Sequence, residues 1–170
     1  KKSTTWLGKK LWNENLVEMQ GENYWFTLNP IFDLQMGKSV ANNSISTYVN
    51  TRALQFQGGL GKQLNFTTTV FESQGLFADY YNQFANSIRP NAGVPSNPAI
   101  VNGDPAVIPG IGIAKVFKQT AYDFPSAEAN LSFTPNSFFN LQLGYGRNFI
   151  GDGYRSLLQS DAASPYPFFK

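Results

Sequence analysis

The chain has no histidine and no cysteine, and only 14% of its 170 residues are charged, against about 25% in an ordinary globular protein. Those absences remove the commonest general base, the thiol nucleophile and most transition-metal ligation. Without cysteine there is no disulfide framework, which does not exclude an extracytoplasmic location. No apolar run approaches the roughly 20 residues of a membrane helix. The opening KKSTTWLGKKLW is basic but lacks an apolar core and a small-residue cleavage site, so it does not read as a signal peptide. There is no G-x-S-x-G and no phosphate loop; GYGRNF and GIGIAK lack the third glycine and the strand-to-helix setting. A net charge of +2 without a basic run argues against nucleic acid. Asp152 and Asp161 are the only suggestive carboxylate pair for glycoside hydrolysis, and salt bridging explains them more simply. The expectation is a non-enzyme with no catalytic residues, no cofactor and no metal.

What the chain has instead is aromatic side chains, 15% of residues, set among asparagine, glutamine and threonine. A disordered chain shows the reverse composition. Thr5 to Gln20 carries Leu7, Leu11, Trp12, Leu16 and Met19 at helical spacing. Thr4 or Thr5 can cap it, and Gly21 is placed to end it; Glu14 and Glu18 then form a solvated face. From residue 24 the period changes to two. Tyr24, Phe26, Leu28, Pro30, Phe32, Leu34 and Met36 fall on one face, which predicts a long strand, with a bulge at Pro30 or a division into two shorter strands.

After a polar link over 38–47, two runs read as a hairpin: 51–60 presents Leu54, Phe56 and Leu60, and 64–72 presents Leu64, Phe66 and Val70. Residues 61–63 make the turn. A second hairpin joins 127–133 to 139–145 through a turn at 134–137. Between them lies a long loop insertion over 75–118, containing a short helix near 77–88 and then a stretch rich in Pro, Asn and Gly. Along alternating strands the short turns fall at one end and the long connections at the other, the asymmetry of outer-membrane barrels. The N-terminal helix is expected at the short-turn end.

A soluble sandwich also alternates apolar and polar residues. Strands of about ten residues suit a tilted membrane crossing. Tyr24, Trp25, Phe133, Phe138, Phe139 and Tyr145 crowd strand ends like an interfacial girdle. The polar faces hold amides and hydroxyls rather than charges, as a wet or plugged lumen would. About five strands are readable against the roughly eight that a closed membrane barrel needs, so the chain reads as a single segment, 1–170, of a longer protein. The ending PYPFFK looks like a strand beginning.

The run GYGRNFIGDGYRSLLQSDAASPYPF, residues 144–168, leaves the last alternating strand and gathers charges and glycines. Its glycine-aspartate-glycine, tyrosine-arginine-serine, serine-aspartate and proline elements resemble RemB-type gliding-motility barrels. More distantly, they resemble a motif of Wzi-type capsule-assembly barrels. NTRALQFQGGLGKQLNFTTTVFESQ resembles a strand pair of the same proteins, and NENLVEMQGENYWFTLNPIFDLQMG fits them loosely. The resemblance covers most of the chain outside 75–118.

It implies a mainly β fold: antiparallel up-and-down strands forming part of an outer-membrane β-barrel, with a short N-terminal helix and one long loop. It places the protein at the surface of a Gram-negative bacterium. The implied role is non-enzymatic, in capsule or exopolysaccharide assembly and attachment, or in adhesion and gliding. The implied partners are the outer-membrane bilayer, surface polysaccharide and other outer-membrane or motility proteins. A soluble secreted carbohydrate-binding module is the alternative.

Within the run, Arg147, Asp152, Arg155 and Asp161 can form a compensated charge cluster, since buried charges persist only when paired. Such a cluster braces a lumen. Alternatively Arg147, Asp152, Tyr154 and Arg155, with Ser160 beside them, hydrogen-bond and stack on a sugar.

Overall fold

The computed structural model describes residues 4–12, 14–39, 46–87, 105–118, 120–151 and 163–170. They form one nine-stranded antiparallel sheet with two short helices. In chain order the elements are α1 (Trp6–Trp12), β1 (Val17–Gln20), β2 (Tyr24–Lys38), β3 (Ser46–Leu60), β4 (Leu64–Leu76), α2 (Asp79–Ser87), β5 (Pro105–Ile108), β6 (Gly112–Phe117), β7 (Ala121–Asn136), β8 (Phe139–Gly146) and β9 (Tyr166–Phe169). Among the described residues, no helix is long and apolar enough to cross a membrane.

Strands β1, β2, β3, β4 and β7 are neighbours in that order. Beyond β7 the edge is shared. Ala121–Asp123 pair with β6, and Ala129–Asn136 pair with β8, which in turn pairs with β9. Residues 21–23, 61–63 and 137–138 therefore turn the chain at one end of the sheet; β2 ends at Lys38 and β4 at Leu76 toward the other, where the short connection from Phe117 of β6 to Ala121 of β7 also lies. Gly61, at φ 61°, takes the left-handed conformation that the β3–β4 turn needs and that glycine adopts without steric cost. In the β7–β8 turn, the Asn136 side chain accepts from the amides of Phe138 (3.0 Å) and Phe139 (3.1 Å). That places the turn slightly later than the predicted 134–137, after a register shift between Phe133 and Asn136.

The helix expected over 5–20 is corrected. Thr5 does cap α1, its Oγ1 accepting from the Gly8 amide at 3.3 Å. The helix spans only Trp6–Trp12, and Val17–Gln20 is a strand. The reason is tertiary. The Leu16 amide donates to Asn29 Oδ1 (2.9 Å), and Asn29 Nδ2 donates to Asn15 Oδ1 (2.8 Å). Those bonds lay the chain along the outer edge of β2, where ladder bonds outweigh a weak helical stripe. Gly21 opens the β1–β2 turn rather than ending a helix, its amide donating to the Tyr24 carbonyl at 2.8 Å. β1 enters opposite Leu28 and descends to the β1–β2 turn.

The bulge expected at Pro30 is also absent: β2 and β3 stay in register from Tyr24↔Leu60 to Lys38↔Ser46. The loop insertion over 75–118 is corrected too. β4 runs to Leu76, α2 falls within the predicted helical stretch, and β5 and β6 add strands to the sheet. Residues 88–104 lie outside the described residues.

Registers place all the strands on two common faces. Tyr24, Phe26, Leu28 and Phe32 of β2 align with Leu60, Phe56 and Leu54 of β3, Leu64, Phe66 and Val70 of β4, Leu131 and Phe133 of β7, and Leu141 and Leu143 of β8. The opposite face carries Thr27, Asn29, Gln55, Gln57, Thr67, Thr69, Glu128, Asn130 and Gln142. The apolar face is the open one: Met36 is 80% exposed, Phe32 74% and Val70 54%, while Thr69 and Ser73 on the polar face are 6% and 5% exposed. The buried apolar core lies elsewhere. It is a small cluster of Ala85, Ala106, Ile108, Ala114, Val116, Tyr122 and Phe124 where α2 and the β5–β6 hairpin meet the sheet.

Candidate functional site

The polar face holds a hollow of ≈ 260 Å³ at the long-connection end of β8, bordered by Gln55, Thr69, Glu128, Asn130, Arg147 and Phe168. Three local features build it. On β7 the alternation that turns Ala127 and Ala129 to the apolar face turns Glu128 and Asn130 to the polar one. On β8 the pairing Ala129↔Tyr145 brings the strand end beside Glu128, so Arg147 leaves the sheet within reach of that carboxylate. Arg147 Nε donates to Glu128 Oε1 at 3.2 Å. Both side chains are about a third exposed, and a pair so placed contributes about 0–1 kcal/mol.

Across β8 the Phe168 ring lies over Gly144, where a Cβ would fall 2.6 Å from the ring. Gly144 therefore admits the ring that forms an aromatic wall of the hollow. Lys170 stands over the same ring, its Nζ 4.9 Å from the centroid, and donates to Asn148 Oδ1. The rest of the lining is largely amide and hydroxyl, with Gln55 Nε2 donating to Thr69 Oγ1 at 3.4 Å; farther along the same face the Thr51 and Ser73 hydroxyls are 2.9 Å apart. Asn140 Nδ2 reaches Ser132 Oγ and Thr134 Oγ1, both at 2.8 Å, nearer the short turns. Planar donors and acceptors, a compensated ion pair and one ring can hydrogen-bond and stack on a polar, hydroxylated ligand.

Of the residues singled out in sequence, Arg147 is brought into this hollow. Asp152, Tyr154, Arg155, Ser160 and Asp161 lie outside the described residues. Glu128 was not anticipated as the partner of Arg147. Its signal is in the sequence: it is the sole charge in the alternating segment AEANLSF, residues 127–133, and cross-strand pairing with the GYGR end of β8 places it there. Among the described residues, no group of His, Cys, Asp or Glu side chains is arranged to hold a metal ion.

The aromatic residues read as strand-end residues fall at the short-turn end, except Tyr145, which sits at the other end of β8. On the apolar face Tyr24 joins Phe26, Phe56 and Phe66 in a continuous stack. Tyr24 and Phe26 have centroids 5.4 Å apart, Phe26 and Phe56 5.8 Å, and Phe56 and Phe66 5.2 Å. The stack closes over Gly58, where a Cβ would meet Phe26 at 2.5 Å and Phe66 at 2.6 Å.

No family model matches the chain, and neither a curated protein nor a solved structure matches it.

Proposed function

We propose that this sheet is part of the wall of an outer-membrane β-barrel of the Wzi/RemB kind, with its apolar face against lipid and its polar face toward the lumen. The observation that carries the proposal is the inverted burial. Leu54, Phe56 and Val70 are exposed on one face while Thr69 and Ser73 are buried on the other. In water the apolar face would have to be covered by a second layer; in a bilayer lipid covers it. Three features agree with this reading. The strands β2, β3, β4 and β7 span 15, 15, 13 and 16 residues, enough for a tilted crossing of about 9–11 residues. The β1–β2, β3–β4 and β7–β8 turns share one end. The Tyr24–Phe66 aromatic stack lies at that end, where a barrel carries an interfacial girdle.

In this reading the protein is non-enzymatic and sits at the surface of a Gram-negative cell. It serves capsule or exopolysaccharide assembly and attachment, or adhesion and gliding, alongside other outer-membrane or motility proteins. The hollow at Arg147 and Glu128 is the place for polysaccharide contact. The full-length protein in native membranes tests the barrel. It should resist salt and carbonate, require detergent for release and migrate differently on a gel when unheated. Release by carbonate alone would overturn the barrel in favour of a secreted carbohydrate-binding module. Arg147→Ala should weaken binding to purified surface polysaccharide while keeping the heat-modifiable band. Unchanged binding would leave Arg147 with the bracing role alone.

A further inference from the structure

Toward the long-connection end the polar face changes character. Its middle carries Gln55, Thr69 and Asn130, whereas its upper part carries Val49, Tyr122 and Phe124. A wall facing only water has no use for that change. It is matched by what packs there. The Phe77 ring lies over Gly75, where a Cβ would come within 3.2 Å of it. It stacks near Tyr81 (4.6 Å between centroids), Phe124 (5.9 Å) and Tyr122 (6.1 Å).

α2 follows at once and is bonded down on both sides. The Tyr81 hydroxyl donates to the Pro109 carbonyl at 3.4 Å, and the Tyr122 hydroxyl donates to the Asn82 carbonyl at 3.2 Å. Ala85, Ala106 and Ile108 between these elements are 0% exposed. The opposite side of the helix presents Tyr80 and Phe84, 76% and 49% exposed. This is the packing of a small protein core, not of a loop resting on a wall.

We propose that α2, packed against the polar face and against the β5–β6 strands that extend the sheet beside β7, forms a fixed cap which obstructs the barrel interior at its long-connection mouth. The proposal rests on the barrel reading above. It means that the protein is not an open diffusion channel, and that access to the polar hollow from that end passes the exposed Tyr80–Phe84 side of α2. Loosening the cap should therefore create conductance that the native protein lacks.

The test uses the full-length protein in planar bilayers, with heat-modifiable migration confirming a folded barrel in each variant. The native protein should show little or no single-channel conductance. Ala85→Asp places a charge in the 0% exposed contact, and the milder Phe77→Ala removes the ring over Gly75; both should raise conductance several-fold. Protease cleavage near 79–87 reports whether the cap has come away. A large native conductance overturns the proposal, as does unchanged conductance in a variant whose cap has become cleavable. Absence of any heat-modifiable species in the native protein instead removes the barrel reading, and the cap's role with it.

Discussion

Proline shows how individual residues are fitted to this sheet. The Gly61 amide donates to the Asn23 carbonyl and the Gly21 amide to the Tyr24 carbonyl, so even-numbered residues of β2 direct their backbone groups toward β1. Pro30 thus has its missing donor on the outer edge, one position beyond the last β1 pair, Val17↔Leu28. The same counting from Thr134, whose amide donates to the Gln63 carbonyl, turns Pro125 toward the gap between the β6 and β8 pairings. Counting from Lys170, bonded both ways to Gln142, turns Pro167 away from β8. Each of these three prolines sits where a strand tolerates it. Pro30→Ala should therefore change stability by no more than about 0.5 kcal/mol. Thr68→Pro, in a central strand, should remove a ladder hydrogen bond and cost about 1–3 kcal/mol. Denaturant unfolding in detergent measures both, and a large loss in Pro30→Ala would refute the edge assignment.

Tyr81 gives a pH test at the same scale. Burial, with Tyr80 beside it, raises its pKa above the ordinary value of 10.0. The neutral phenol is thus favoured in the folded cap, and its contribution is complete below pH 10 and falls as pH rises through the unfolded value. Cap release, followed by protease cleavage, should increase above about pH 10, and Tyr81→Phe should remove that component.

Among the elements, legibility in the sequence tracked the length of the alternation. β2, β3, β4 and β7 carry long period-two runs, and their facing sets Tyr24–Met36, Leu54–Leu60 and Leu64–Val70 emerge in the structure as one face. β1 was misread because Leu16 and Met19 continue the spacing of Leu7. Nothing local reveals that Asn29 will bind the Leu16 amide and Asn15. β5 and β6 span only 4 and 6 residues in a Pro- and Gly-bearing stretch, too short for a period to register. The site divides the same way: Arg147 was identifiable as a charge leaving a strand, but Glu128 required the β7–β8 register. Ile108 shows what the unread elements contribute. It is the largest fully buried side chain among the described residues, and Ile108→Ala should destabilise the cap by about 2–5 kcal/mol. If the cap packs as a unit, protease sensitivity near α2 should rise while the heat-modifiable wall persists. Collapse of both together would make the cap and wall a single cooperative unit.

For the whole molecule the governing fact is which face is open. A sheet in water loses stability when its buried apolar residues become charged, and little when an exposed one does. A sheet in lipid reverses the second rule, because the exposed side chain must then be solvated by hydrocarbon. Leu54 lies midway along β3, pairs with Pro30 and Val70, and is 48% exposed. Leu54→Arg in a lipid-facing wall should destabilise the protein by about 2–4 kcal/mol if Leu54 is near the midplane. On a solvated surface the same change should fall within about 0.5 kcal/mol of neutral. Glu128→Gln on the polar face provides the internal control. It removes one partner of a third-exposed pair, and its effect should stay near or below about 1 kcal/mol in either setting. Reversible unfolding from lipid vesicles would separate the two outcomes. A large loss for Leu54→Arg beside a small one for Glu128→Gln supports lipid on the apolar face, and near-neutrality of Leu54→Arg would remove the membrane from the account.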